Sequence, residues 1–120
     1  MTGAEFITHK GIKILNLDLR NEQDIEKSAT AFRTAQKLAT SEPPKSVRLI
    51  TDVTGAHYTS EGVSVIKEFS SAVTPYMKGS AIVGVTGIKQ IIVQSLFRLS
   101  GREMKLFKTR EDALEWLTNL

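Results

Sequence analysis

Three side chains stand close enough along the chain to raise the question of nucleophilic catalysis: Asp52, His57 and Ser60. An acid, a base and a hydroxyl must meet within hydrogen-bonding reach in a cleft to work as a triad. Here they fall within nine residues, across a strand end and a loop, and no Gly-x-Ser-x-Gly elbow surrounds Ser60. His57 reads as an exposed loop residue and His9 as a strand residue. With no cysteine and two histidines, thiol nucleophiles, thiol redox chemistry, disulfides and zinc–thiolate sites are excluded, and no metal site is expected. No pair of titratable groups is spaced for acid–base work, so the expectation is a non-enzyme without cofactors.

Ser60 has a second chemical reading. It stands where a helix begins, and a hydroxyl there accepts from free backbone N–H groups. A phosphate on it would meet the same donors and the positive end of the helix dipole. Beside it, Glu61 brings part of a phosphate's negative charge. The plain alternative is a helix cap. A third candidate is Gly84-Val85-Thr86-Gly87, between a strand and a helix, where backbone donors could meet an anion with Lys89 nearby. It matches neither the P-loop nor the dinucleotide fingerprint, and its plain reading is a tight turn.

The elements that must position these groups follow from patterning. Phe6–His9 and Ile12–Leu17 read as strands joined at Lys10-Gly11, a hairpin. Asn21 is the expected N-cap of an amphipathic helix over 22–40, stopped by Pro43-Pro44. Val47–Val53 reads as a central strand, followed by the loop Thr54–Thr59 and a helix from Ser60 that Pro75 ends or kinks. Lys78-Gly79 is expected to turn the chain into a strand over Ser80–Val85. Thr86-Gly87 opens a third helix to Leu99, Met104–Phe107 is the last strand, and Thr109 caps the last helix. The order is ββαβαβαβα: one α/β domain over 1–120 with a mixed, mainly parallel sheet of about five strands and four helices.

Charge and apolar surface add two observations. The net +3 arises from a segment over 76–110 with seven basic side chains against one acid, followed by three acids over 111–120. The basic residues lack interleaved aromatics, so nucleic acid is not expected. The third helix is apolar around more than one stripe. Ile92, Leu96 and Phe97, with Tyr76 and Met77, are candidates for core, a homodimer interface or the wall of an apolar pocket, to which Arg98, Arg102 or Lys89 would add a head-group contact. No apolar run is long and uninterrupted enough to span a membrane, and no signal peptide is visible, so a cytoplasmic location is expected.

Several of these residues resemble the STAS domain, the anti-sigma-factor antagonist or SpoIIAA-like family. Leu96-Phe97-Arg98-Leu99-Ser100-Gly101, then Lys105, Phe107 and Glu111-Asp112-Ala113-Leu114, is similar to the family's C-terminal pattern. Thr59-Ser60-Glu61-Gly62-Val63 falls on its Asp-Ser-Ser-Gly-Leu signature, with Thr59 in place of the aspartate and Glu61 in place of the second serine. The resemblance covers roughly 5–119. It implies a regulatory, protein-interacting module in which Ser60 matches the phosphorylated serine and Thr59 and Glu61 flank the partner contact. The alternative it carries is lipid or acyl-ligand binding, through a topology shared with CRAL-TRIO domains.

Overall fold

The computed structural model describes residues 2–57, 60–85 and 104–120, the side chains of 60–63 apart. Two seven-residue strands, β1 (Gly3–His9) and β2 (Ile12–Asp18), pair antiparallel along their whole length. The connection is two residues long, with Lys10 at φ 51° and Gly11 at φ 78°. Positive φ at both positions makes the turn whose twist matches that of the flanking strands. Helix α1 (Ile25–Thr40) then leads to β3 (Val47–Asp52), and α2 (Ser60–Val73) to β4 (Met77–Val83). β5 (Met104–Phe107) and α3 (Arg110–Thr118) complete the described elements. The sheet order is β1-β2-β3-β4-β5, with every pair after the first parallel.

This is the expected mixed, mainly parallel five-stranded sheet. Three helices are present among the described residues. The expected helix between β4 and β5 lies at positions outside them.

Period-two alternation divides the sheet into two cores. Leu15, Leu17, Leu49 and Ile82 face α1 and α2, where Phe32, Ala35, Ala39, Phe69 and Val73 are buried. Ile14, Ile50, Ala81 and Val83 face α3 through Ala113 and Leu117. Each large side chain so buried contributes about 1.5–3 kcal/mol. Alanines at 31, 35 and 39 let α1 lie close to its neighbours, and Phe32 meets Phe69 edge-on at 5.2 Å between ring centres.

Two local expectations are corrected, and one open alternative is resolved. Helix α1 starts at Ile25, capped by Asp24, whose carboxylate accepts from the amides of Glu26 and Lys27. Asn21 does not cap it. Its backbone is left-handed (φ 59°), and its amide donates to the Thr54 carbonyl at 2.8 Å, which ties it to the neighbouring loop. β4 begins at Met77, so Lys78-Gly79 lies within the strand rather than turning the chain. Gly79 is there for space: a Cβ would lie 2.4 Å from Leu120 Cδ1 and 3.4 Å from the Trp116 ring. The register of β3 on β4 shifts at this point, accommodating Lys78 as an irregularity. Pro75 ends α2 without a kink, since a single 3₁₀ turn over Thr74–Tyr76 follows it.

Candidate functional site at the carboxyl edge of the sheet

The parallel strands end in register. Asp18 of β2 lies beside Asp52 of β3, Asp52 beside Val83 of β4, and Val83 beside Phe107 of β5. The backbone ladder continues one residue further, through Leu19 N to Asp52 O and Val53 N to Val83 O, both at 2.9 Å. Beyond it the loops are laced together. The amide of His57 donates to the Glu22 carbonyl at 2.9 Å, and the Gln23 side chain donates to the Gly55 carbonyl at 2.9 Å. Gly84, at φ 89°, approaches Thr54 so closely that a Cβ would lie 2.7 Å from the Thr54 backbone.

Beneath these loops lies a charged cluster. Asp18 and Asp52 follow Ile14 and Ile50 at even spacing, so both carboxylates point to the α3 side of the sheet. Both are buried, Asp52 to 2% exposure. Adjacent strands are about 4.8 Å apart, so two bare carboxylates here would repel strongly. Arginines offset this. Arg20 grips Asp18 with two parallel bonds, Nε to Oδ1 at 3.0 Å and Nη2 to Oδ2 at 2.8 Å. It also lies 4.0 Å from Asp52 Oδ2. Arg110, the first residue of α3, places Nη1 3.5 Å from Asp52 Oδ2 and donates through Nη2 to Asn16 Oδ1 at 3.0 Å. The Asp52 carboxylate also accepts from the amide and hydroxyl of Thr54, at 3.1 and 2.7 Å.

The electrostatics follow. The hydrogen bonds from Arg20 hold the Asp18 carboxyl below the ordinary carboxylate range, against the opposing effect of burial. Asp18 in turn raises the already high pKa of Arg20. Asp18 is therefore held ionised and is poorly suited to passing a proton near neutral pH. The arrangement ties Thr54 and the start of α3 to the strand ends. Thr54, Gly55 and His57 stand exposed in the loop between β3 and α2.

Ser60 is the first residue of α2 and Glu61 the second, at the far end of this loop. Their side chains, and Thr59, lie outside the described residues. Gly84 takes its place at the end of β4. Thr86, Gly87, Lys89, Arg98 and Arg102 lie outside the described residues, as do Ile92, Leu96 and Phe97. Tyr76 and Met77 sit at the opposite, amino end of β4, Tyr76 half-buried and Met77 within the core at 8% exposure. Among the described residues the partners of Asp52 are Thr54, Arg110 and Arg20, and His57 is exposed on the loop. Among the described residues no group of three or more His, Asp or Glu is placed to hold a metal, and no helix is long and apolar enough to cross a membrane.

Sequence reasoning missed Asp18, Arg20, Asn16 and Arg110 as a group. One signal was available. Asp18-x-Arg20 and Asp52-x-Thr54 repeat the same feature, an aspartate ending a strand with a donor two residues on.

The architecture is a SpoIIAA-like fold. An uncharacterized protein of the DUF3478 family from Shewanella loihica PV-4, itself with a SpoIIAA-like fold, superposes with a TM-score of 0.69 over 98% of this chain and 95% of its own, at 19% identity. At that identity the likeness establishes the shared fold. No protein-family model matches the chain, and no curated protein matches it.

Proposed function

We propose that this protein is a non-enzymatic regulatory module that binds a protein partner through the carboxyl-edge loop, Thr54–Glu61, with Ser60 as the residue at which binding is modulated. One observation carries the reading. The outer side chains Thr54 and His57 are exposed, while the backbone of Thr54–His57 is hydrogen-bonded to the loop between β2 and α1 and anchored on buried Asp52. A surface that is rigid before contact loses little conformational entropy on binding. The buried charges beneath it are engaged in holding the loop, and Asp18 is held ionised by Arg20, away from a general acid's range. The SpoIIAA-like fold supports the same direction by analogy.

The test is comparative capture from source cells. Wild type, Thr54→Arg, Ser60→Glu and, at the opposite end of the sheet, Lys45→Glu are immobilised after circular dichroism shows equal folding. A protein retained by wild type and Lys45→Glu, and lost from Thr54→Arg or Ser60→Glu, is the expected result. Retention unaffected by both loop variants overturns the reading, as does capture of nothing by wild type.

A further inference from the structure

The outer edge of β1 carries no partner strand among the described residues. It is seven residues long, Gly-Ala-Glu-Phe-Ile-Thr-His, with no proline and no lysine to discourage pairing. The turn at Lys10-Gly11 makes His9 and Ile12 a hydrogen-bonded pair, and such pairs alternate along an antiparallel ladder. His9, Ile7, Glu5 and Gly3 therefore spend their backbone groups on β2. Ala4, Phe6 and Thr8 point theirs outward.

We infer that β1 pairs antiparallel with β1 of a second copy of this chain, across a two-fold axis at Ile7, joining two five-stranded sheets into one of ten strands. In this register Phe6 and Thr8 of each copy exchange N–H···O bonds with Thr8 and Phe6 of the other. Ile7 meets Ile7, and Glu5 lies opposite His9 at both ends. The side chains Glu5, Ile7 and His9 share the α3 face of the sheet, so the acidic half of one strand meets the basic half of the other, where Lys10 follows His9. His9 Nε2 lies 3.4 Å from Glu115 on α3, and Lys10 also contacts Glu115, at 2.5 Å. The His9 Nδ1 has no partner among the described residues. The two-fold register one step away would set Phe6 against Phe6 and would leave Glu5 opposite Ile7, an apolar side chain. A carboxylate opposite an imidazole, which can donate a hydrogen bond to it, favours the first over a carboxylate opposite an aliphatic side chain. Ile7 is only half-buried in the monomer, beside half-buried Ile12, and the symmetric contact covers both ends of that apolar strip.

The chain has no cysteine, which allows a direct test. Residues facing each other in a non-hydrogen-bonded antiparallel pair have Cα atoms about 4.5 Å apart, within disulfide range. Ile7→Cys is expected to form a covalent dimer of twice 13.3 kDa under mild oxidation, whereas Lys37→Cys, exposed on α1, stays monomeric. Thr8→Pro removes an outward N–H that β2 does not use, so it is expected to keep the monomer fold by circular dichroism and to lose the dimer in sedimentation. Glu5→Lys is expected to weaken the dimer at least tenfold. A wild-type chain that stays monomeric at its highest soluble concentration, with Ile7→Cys crosslinking no faster than Lys37→Cys, overturns the inference. So does a wild-type dimer that persists unchanged in Thr8→Pro.

Discussion

The two ends of the sheet hold their charges differently. At the carboxyl end, Asp18 and Asp52 are buried side by side and balanced by arginines reaching in from a loop and from the start of α3. Toward the amino end, Lys13 meets Glu42 at 2.6 Å on the surface, with the Lys13 side chain 58% exposed. Water and salt screen the second pair more than the first, whose carboxylates are buried while their arginines reach in from the surface. The contrast teaches where this fold is brittle. A buried carboxylate must keep its partners, and so the loops that supply them must keep their shape. A surface pair leaves its strands free to vary.

The sharpest way to break this contrast is Asp52→Ala. It takes the carboxylate from Arg110, which keeps Asn16, and frees the Thr54 amide and hydroxyl, and removing one partner of a buried pair costs about 3–5 kcal/mol. Urea unfolding should show that loss, and Arg110→Met paired with Asp52→Leu should recover much of it. If Asp52→Ala costs no more than a surface pair does, the carboxyl end is not the brittle one.

Asp18 sharpens the comparison through pH. Its folded pKa is depressed by Arg20, so its contribution to stability is complete above the ordinary carboxylate range and is lost as pH falls through the depressed value. The melting temperature of wild type should therefore fall on acidification, and that of Asp18→Asn should fall less steeply over the same window. Parallel pH curves for the two would remove Asp18 from the account.

The smallest effect is expected at the other end. Lys13→Ala removes the contact with Glu42 and a cation over the Phe6 ring, 4.2 Å from its centre. Exposed pairs contribute about 0–1 kcal/mol. Thermal unfolding should place this variant within that margin, and the difference should shrink further at high salt.

Most of the fold was legible along the chain. β3 and β5, the hairpin turn and the Thr109 cap of α3 all stand where local patterning puts them. The misplacements share a cause. Asn21 is an apt capping residue, yet a hydrogen bond to Thr54, 33 positions away, draws it into a left-handed turn and leaves the cap to Asp24. Gly79 follows a lysine as turn glycines do, yet it is a strand residue that makes room for Trp116 and Leu120. In both places a distant contact outweighs a local preference of about 1 kcal/mol.

The candidate site divides the same way. That a helix begins at Ser60 follows from residue type and order, because turns and helix starts are local chemistry. The absence of cysteine likewise removes thiol chemistry whatever the fold. That Asp18, Asp52, Arg20 and Arg110 form one cluster was decided only by tertiary structure. Parallel pairing sets the ends of β2 and β3 side by side, and α3 packs back across that face to deliver Arg110. A carboxylate's partners are chosen by register and helix docking, and neither is written in its neighbours along the chain.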